Sequence, residues 1–415
     1  MSLISSLFTG VTGLTGNSKA MQIIGDNIAN VNTVGFKQST AVFGDIFSTV
    51  LSNGSTTSQL GRGSQLSGTI QSFAQGAVEN SSNALDLAID GSGFFIVSPP
   101  GSSGQFYTRN GQFRLNENGL VEAITGEILK GFQITRGVAS TSLTDIDLAG
   151  VQSSPTATTE VTLGANLNGA DSAASTFTSP LTIFNSVGST VTLSITFTKQ
   201  SSSTNVWDFT ASTTEGTITT GASGTVSFDS TGQLSDVSGA GIADHAFVID
   251  YSSASPPAST QNLTWNLATA AGATNGKLTG FAAESNNNSL VQDGFTTGTL
   301  IGLSVGSDGV ISGLFNNGQS ESLYQVALAD FLAPSGLTRQ GSNLFSESAD
   351  SGQPTIGNPE TGGFGAILGN SLELSNVDIA EEFVTMIQTQ QAFQASARLI
   401  TTTDDLLTEA VNLVR

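Results

Sequence analysis

Apolar positions step by three and four at both ends of the chain and alternate by two in between. From Leu3 the stripe runs through Leu7, Gly10, Leu14, Asn17, Met21, Ile24 and Ile28, which predicts an amphipathic helix. At the other end Ile379, Phe383, Met386, Gln390, Phe393, Ala397, Ile400, Asp404, Leu407, Val411 and Val414 hold a strict 4-3 alternation. That is a coiled-coil seam interrupted at Gln390 and Asp404. It predicts a helix over about 376–413, on the order of 55 Å long, with Asn376 or Ser375 at its cap and Asp378, Glu381 and Glu382 in its first turn. A helix that long needs a partner for its stripe, and the other sustained stripe lies at the opposite end. The termini are therefore expected to pair, within a subunit and across neighbours; an ordinary helical hairpin capping a β domain fits the periodicity equally well.

Gly10, Gly13 and Gly16 fall inside the first stripe, each costing roughly 1 kcal/mol of helix propensity against Ala. Two readings follow: a helix that orders on assembly and gains close approach to a neighbour, or a loop over 9–17.

Between the ends the pattern is β. Ala88–Val97 reads as two strands around a Gly turn; Tyr107–Leu115 and Leu120–Phe132 continue it, with Asn110-Gly111 and Asn118-Gly119 as hairpin signals. Residues 160–285 alternate more loosely among Ser, Thr and Gly, strands resume at Leu300–Val305, Gly309–Phe315 and Tyr324–Ala329, and 346–370 reads as a Gly-rich loop. The predicted class is mainly β with long α-helical termini, in a nested, discontinuous multidomain order with β domains inserted one within another. The edges are placed at 1–35 with 375–415 (helical polymerisation domain), 36–75 with 355–374 (extended connection), 76–150 with 286–354 (inner β domain) and 151–285 (outer β insertion).

Composition narrows the function. The chain has 415 residues, 48 Gly, no Cys and a net charge of −21. That charge excludes nucleic acid as a partner, since phosphate binding needs clustered Lys and Arg. Residues 137–338 hold 15 acids against Lys199 and Lys277, as a solvated outer surface does. Disulfides and thiolate metal sites are excluded. No cationic stretch precedes an apolar run at the N-terminus, and no run of 18 apolar residues occurs, so neither a cleaved secretory signal nor membrane insertion is expected.

Catalytic chemistry is sparse. The single histidine, His245, lies in a strand-like run and reads as structural. Gly302-Leu303-Ser304-Val305-Gly306 has nucleophile-elbow spacing, but that motif requires a helix afterwards and Gly309–Gly313 reads as a strand. No metal or cofactor motif occurs, and no enzyme is expected.

Three blocks then carry a resemblance. Residues 22–37, with the core Ala29-Asn30-x-x-Thr33-x-Gly35-Phe36-Lys37, resemble the N-terminal signature of the flagellar rod and hook axial protein family. Leu85–Phe95 with Tyr107–Gly111 is similar to its next block, and Leu374–Phe383 with Gln391–Ala395 to its C-terminal signature. With Ala327–Phe345 these cover about half the chain, and the large central insertion resembles the hook class rather than the shorter rod class. The resemblance implies a structural subunit, self-polymerising into a curved hollow tube that passes torque from rod to filament. It also implies a flagellar location outside the cell, reached through the flagellar export apparatus without a cleaved signal. Its implied partners are copies of itself, the distal rod protein, the hook–filament junction protein and the hook cap. The two stripes and the matched motifs together give the residues expected to serve assembly: Leu7, Leu14, Ile24, Asn27, Ile28, Asn30, Gly35 and Phe36 from one end, and Asn376, Ile379, Phe383, Met386, Phe393, Ile400, Leu407 and Val411 from the other. A distal rod or junction protein is the rival reading within the family; an extracellular β adhesin explains the middle of the chain and leaves its ends unexplained.

Overall fold

The computed structural model describes residues 3–46, 49–53, 56–102, 104–270 and 272–413. Helix α1 spans Leu3–Ala29 and helix α2 spans Ile379–Leu413; Val414, the last position of the predicted stripe, lies outside the described residues. Among the described residues, everything between the helices is β strands, turns and one 3-10 turn at Pro334–Gly336. The chain divides into two compact units: unit 1 is 1–150, 302–313 and 320–415, and unit 2 is 151–301 with 314–319.

In unit 1, α1 and α2 pack antiparallel: Gly10 and Gly13 lie against Ile400 and Ser396, and Asn27 against Glu382. The three glycines are helical rather than loop. A Cβ built on Gly10 would stand 2.9 Å from Ile400 Cγ1, on Gly13 2.9 Å from Ser396 Oγ, and on Gly16 3.2 Å from the Phe43 ring. Lost propensity is exchanged for close approach on three consecutive turns.

The α2 seam is displaced from the predicted one. Glu382, Met386, Thr389, Phe393, Ser396, Ile400, Thr403 and Leu407 are covered, again spaced four and three, and Ala397 of the predicted seam is covered beside Ser396. Met386, Phe393, Ile400 and Leu407 belong to both registers. At Phe383, Gln390 and Asp404 the covered residue is the one before, and Ile379 and Val411 are exposed in the single chain as well. Gly10 and Gly13 of α1 leave room for Ser396 of α2, a small polar residue that apolar periodicity does not register. The helix also begins later than expected. Asp378 is its cap, its Oδ1 accepting from Ala380 N at 2.8 Å and Glu381 N at 3.2 Å.

Beside α1, strand Ser39–Asp45 pairs with Ser64–Gln71 in the stretch expected to be an extended connection. The main sheet of unit 1 runs in the order Ser320–Val326, Ile128–Thr135, Phe94–Ser98, Phe106–Thr108, Leu344–Ser346, Thr338–Gly341. One face buries Leu87, Ile89, Phe95, Val97, Leu129 and Val326; the other packs Phe94, Tyr107, Phe331 and Phe345 edge to face. Residues 346–370 are not all loop, since Thr355–Gly357 adds to Leu328–Asp330 and Ala366–Gly369 pairs with Leu87–Asp90. Asn118-Gly119 lies in the connection between the paired strands Phe113–Leu115 and Val121–Ala123, as predicted. Asn110-Gly111 makes no hairpin, because Phe106–Thr108 pairs with Phe94–Ser98 and Leu344–Ser346 instead.

Unit 2 packs a five-stranded antiparallel sheet and a six-stranded mixed sheet around Trp207, Trp265, Phe197, Phe209, Phe247 and Tyr251, all fully buried. Thr176–Phe184 is an edge strand of the first, and Pro180 stands opposite Ser194 in it. The neighbouring Thr192 turns its N–H and C=O to Thr214, away from that edge strand. By the two-residue repeat Ser194 does the same, so the Pro180 nitrogen faces the free edge. His245 sits edge-on between Phe209 and Phe247 with Nε2 2.9 Å from Gly221 O, a structural placement. Ser304 lies on strand Gly298–Val305, followed by strand Val310–Phe315 rather than a helix.

Candidate assembly site

The three signature blocks, far apart in sequence, converge where the helices join the β part of unit 1. Past Ala29 the chain tightens: Asn30 Nδ2 donates to Asp26 O at 2.9 Å, Thr33 Oγ1 donates to Asn30 Oδ1 at 3.1 Å, and Phe36 N donates to Thr33 O at 3.2 Å. Gly35 then takes φ +68° and donates its N–H to Glu373 O at 2.8 Å. Only glycine fits, because a Cβ would stand 2.6 Å from Arg109 C and Asn110 N. Phe36 is buried beneath the Arg339 guanidinium, 5.4 Å from its ring centre.

Two asparagines stitch the ends together. Asn27, 2% exposed, donates Nδ2 to Ser39 O and to Glu382 Oε1, each at 2.9 Å, and accepts from Ser39 N. One buried amide thus ties α1, the hairpin and α2. Asn376 is no helix cap. Its Oδ1 accepts from Gln38 N at 2.8 Å, and its Nδ2 donates to Ser72 O and Ala74 O at 3.0 and 3.1 Å.

Beneath them lies an ionic centre that sequence reading did not single out. Glu373, fully buried, receives Lys37 Nζ at 2.6 Å and Gly76 N at 2.9 Å on Oε1, and Arg109 Nη1 at 3.2 Å on Oε2. Lys37 also donates to Ala74 O at 2.8 Å, and Arg109 to Gly91 O at 2.7 Å while lying over Phe94. Burial pulls the Lys37 ammonium and the Arg109 guanidinium below their ordinary values, and the Glu373 carboxylate opposes this in both. The first two signature blocks supply Lys37 and Arg109, and Glu373 immediately precedes the third. Lys37 and Arg109 were visible inside their motifs; Glu373 was one carboxylate in an acidic chain.

Of the assembly residues named from sequence, Asn27, Asn30, Gly35, Phe36 and Asn376 meet at this hub. Ile24 is buried, Leu7, Leu14, Ile28, Met386, Phe393, Ile400 and Leu407 are half-buried along the helix pair, and Ile379, Phe383 and Val411 are exposed. Nothing in this arrangement resembles a catalytic centre, and among the described residues no cluster of metal-ligating side chains occurs.

Glu382 gives a testable pH effect. Burial raises its pKa above the ordinary 4.5, the Asn27 hydrogen bond opposes the rise, and Glu381 adds to it. Folding therefore favours the protonated acid. Its contribution is fully present below about pH 4.5 and is lost as pH rises through the raised folded value. Glu382→Gln, which keeps an acceptor for Asn27, is expected to melt at or above wild type near pH 7 and level with it near pH 4. A lower melting point near pH 7 would contradict this.

Comparisons with known proteins follow the same geometry. The profile of the flagella basal body rod protein matches residues 7–37, and that of the flagellar hook protein FlgE/F/G D1 domain matches 88–166. The flagellar basal body protein FlaE D2 domain matches 151–295, and the flagellar basal body rod FlgEFG protein C-terminal profile matches 369–413. Flagellar hook protein FlgE of Borreliella burgdorferi is 31% identical over 99% of this chain and 100% of its own length. The Escherichia coli protein of that name is 31% identical over 97% and 98%. A crystal structure of Helicobacter pylori flagellar hook protein FlgE2 overlays with a TM-score of 0.45 at 13% identity, covering 71% of this chain and 100% of that one. With four family profiles in order along the chain and relatives matched end to end, the chain belongs to the flagellar hook protein family.

Proposed function

We propose that this chain is the subunit of the flagellar hook, polymerising through its helical ends into a curved hollow tube that transmits torque from rod to filament. One observation carries the reading: both ends of the chain are anchored on a single buried carboxylate, Glu373, so the helix pair is held to the β part of unit 1 as one body. Force applied to the helices then reaches the β unit through buried ionic and hydrogen bonds rather than through a flexible linker. The exposed Ile379, Phe383 and Val411 supply apolar surface for neighbouring copies. The glycine-rich α1 gains its full packing once neighbours surround it, so ordering on assembly belongs to the same proposal.

The partners in this reading are further copies of the chain, the distal rod protein below, the hook–filament junction protein above, and the hook cap and export apparatus during growth. The site is the hook outside the cell, reached without a cleaved signal. The chain has no catalytic role in it: His245 is held by Phe209, Phe247 and Gly221, and Ser304 has no helix behind it.

Electron microscopy of basal bodies from a strain lacking the gene tests the assignment. The expected result is an intact rod with no curved hook. A truncated rod would move the protein to the rod, normal hooks without filaments would make it a junction protein, and normal flagella would end the axial reading.

A further inference from the structure

The outward faces of the two helices are chemically unlike. In α1, Phe8, Val11, Thr15 and Lys19 recur every three to four residues on the face turned from α2, and all are exposed, Phe8 by 58% and Val11 by 42%. No carboxylate precedes Asp26 in the sequence, so this strip is apolar and then cationic. A groove between it and the hairpin is lined by Val11, Thr12, Thr15, Lys19, Ile46 and Leu66, among others. In α2 the outward strip near the C-terminal end runs Leu399, Asp405, Leu406 and Glu409, the leucines 40% and 58% exposed and the two carboxylates exposed one turn apart. It opens on an apolar residue and ends on an anionic one.

The two strips are about equal in length, and each opens on an apolar residue and ends on a charged one. Phe8 to Lys19 spans roughly 16 Å and Leu399 to Glu409 roughly 15 Å at the helical rise. Laid parallel, with Leu399 beside Phe8, they bring Glu409 beside Lys19 and Asp405 about 7 Å before it along the axis, and leave Arg398 at the far, apolar end. Within one copy this match is unattainable. The helices run antiparallel there, with Asn27 at Glu382 and Gly10 at Ser396, so Lys19 stands level with about residue 390. Asp405 is then roughly 22 Å further along the axis.

We infer that the outward strip Phe8–Val11–Thr15–Lys19 of one copy receives the outward strip Leu399–Asp405–Leu406–Glu409 of a second copy, in parallel orientation. This rests on the polymer reading above and names the surface that serves it. Two different faces of one chain meet, so the contact is heterologous and leaves one free face of each kind at the ends of any row. A second copy is preferred to another occupant because both halves of the match, apolar and ionic, lie on this chain.

Complementary charge reversal tests it with the full-length protein. Wild type forming tubes in vitro supports the polymer reading; failure to do so ends both proposals. Lys19→Glu alone, and separately the Asp405→Lys/Glu409→Lys chain, are each expected to raise the critical concentration for polymerisation about tenfold, equivalent to about 1.4 kcal/mol per contact. An equimolar mixture is expected to polymerise near the wild-type concentration. In an alternating row the reversed α1 strip of one variant meets the reversed α2 strip of the other, and the two unaltered strips meet each other, so opposite charges face at every contact. Wild-type behaviour of either variant alone, or no recovery in the mixture, overturns the contact while leaving the polymer reading standing. All three positions are exposed, and Lys and Glu have similar helix propensity, so circular dichroism is expected to match wild type. If Lys19→Glu nonetheless unfolds, Lys19→Gln carries the test. Its smaller rise is expected to vanish in 1 M salt, and a salt-independent rise overturns the ionic match.

Discussion

Replacing Glu373 by glutamine is expected to destabilise unit 1 by about 3–5 kcal/mol, the usual cost of removing one partner from a buried ion pair. The amide oxygen can still accept from Lys37 and Gly76, which share Oε1, but the amide nitrogen in place of Oε2 turns a donor towards Arg109 and the negative charge is gone. Two cations are then left in a site almost wholly closed to solvent. Calorimetry provides the measurement, because the chain has two compact units and only one contains Glu373. The transition of unit 1 is expected to move down while that of unit 2 stays in place. A double variant, Glu373→Gln with Lys37→Met, is expected to lose less than the sum of the two single changes, since the methionine removes one uncompensated charge. A loss below about 1 kcal/mol for Glu373→Gln would mean that the hub does not anchor the ends.

Gly35→Ala is expected to be comparably damaging for a different reason. An alanine held at φ +68° costs about 1–2 kcal/mol. Its Cβ would also press on the backbone of Arg109 and Asn110, which cannot swing aside as a side chain does. Relief requires the 109–110 turn to shift, and that draws the Arg109 guanidinium off Glu373. Gly137 supplies the control, with φ +78° and nothing within 4 Å of a built Cβ. Gly137→Ala should show the backbone cost alone, and the excess loss at Gly35, about 2 kcal/mol or more, measures the collision. Equal losses at the two positions in urea unfolding would refute the steric argument.

The contrast between these residues indicates what a sequence can reveal. Helical ends and a β interior were legible because periodicities of 3.6 and 2 are local. Gly10, Gly13 and Gly16 announced a close approach, and they lie against Ile400, Ser396 and Phe43. The register of the α2 seam was not legible. Thr389, Ser396 and Thr403 are covered there, and apolar counting does not register polar residues. Asn110-Gly111 misled because a turn-forming pair also suits a strand crossing. Leu87 N donates to Gly111 O at 3.0 Å, and a Cβ on that glycine would lie 1.6 Å from Leu87 O. Glu373 was hidden most completely, since its role depends on Lys37 and Arg109, 336 and 264 residues away along the chain.

Pro180 has a consequence for crowding. An exposed strand edge is a template: a second strand laid beside it can zip on through every other amide, and rows of identical subunits hold such edges close for as long as the polymer lasts. At Pro180 the template has a missing tooth, because the nitrogen aimed at the free edge carries no hydrogen. A foreign strand could bond on either side of that point but not through it, so the longest uninterrupted pairing is only a few residues. Neighbouring copies of unit 2 can therefore be pressed together without fusing along this edge into a shared sheet.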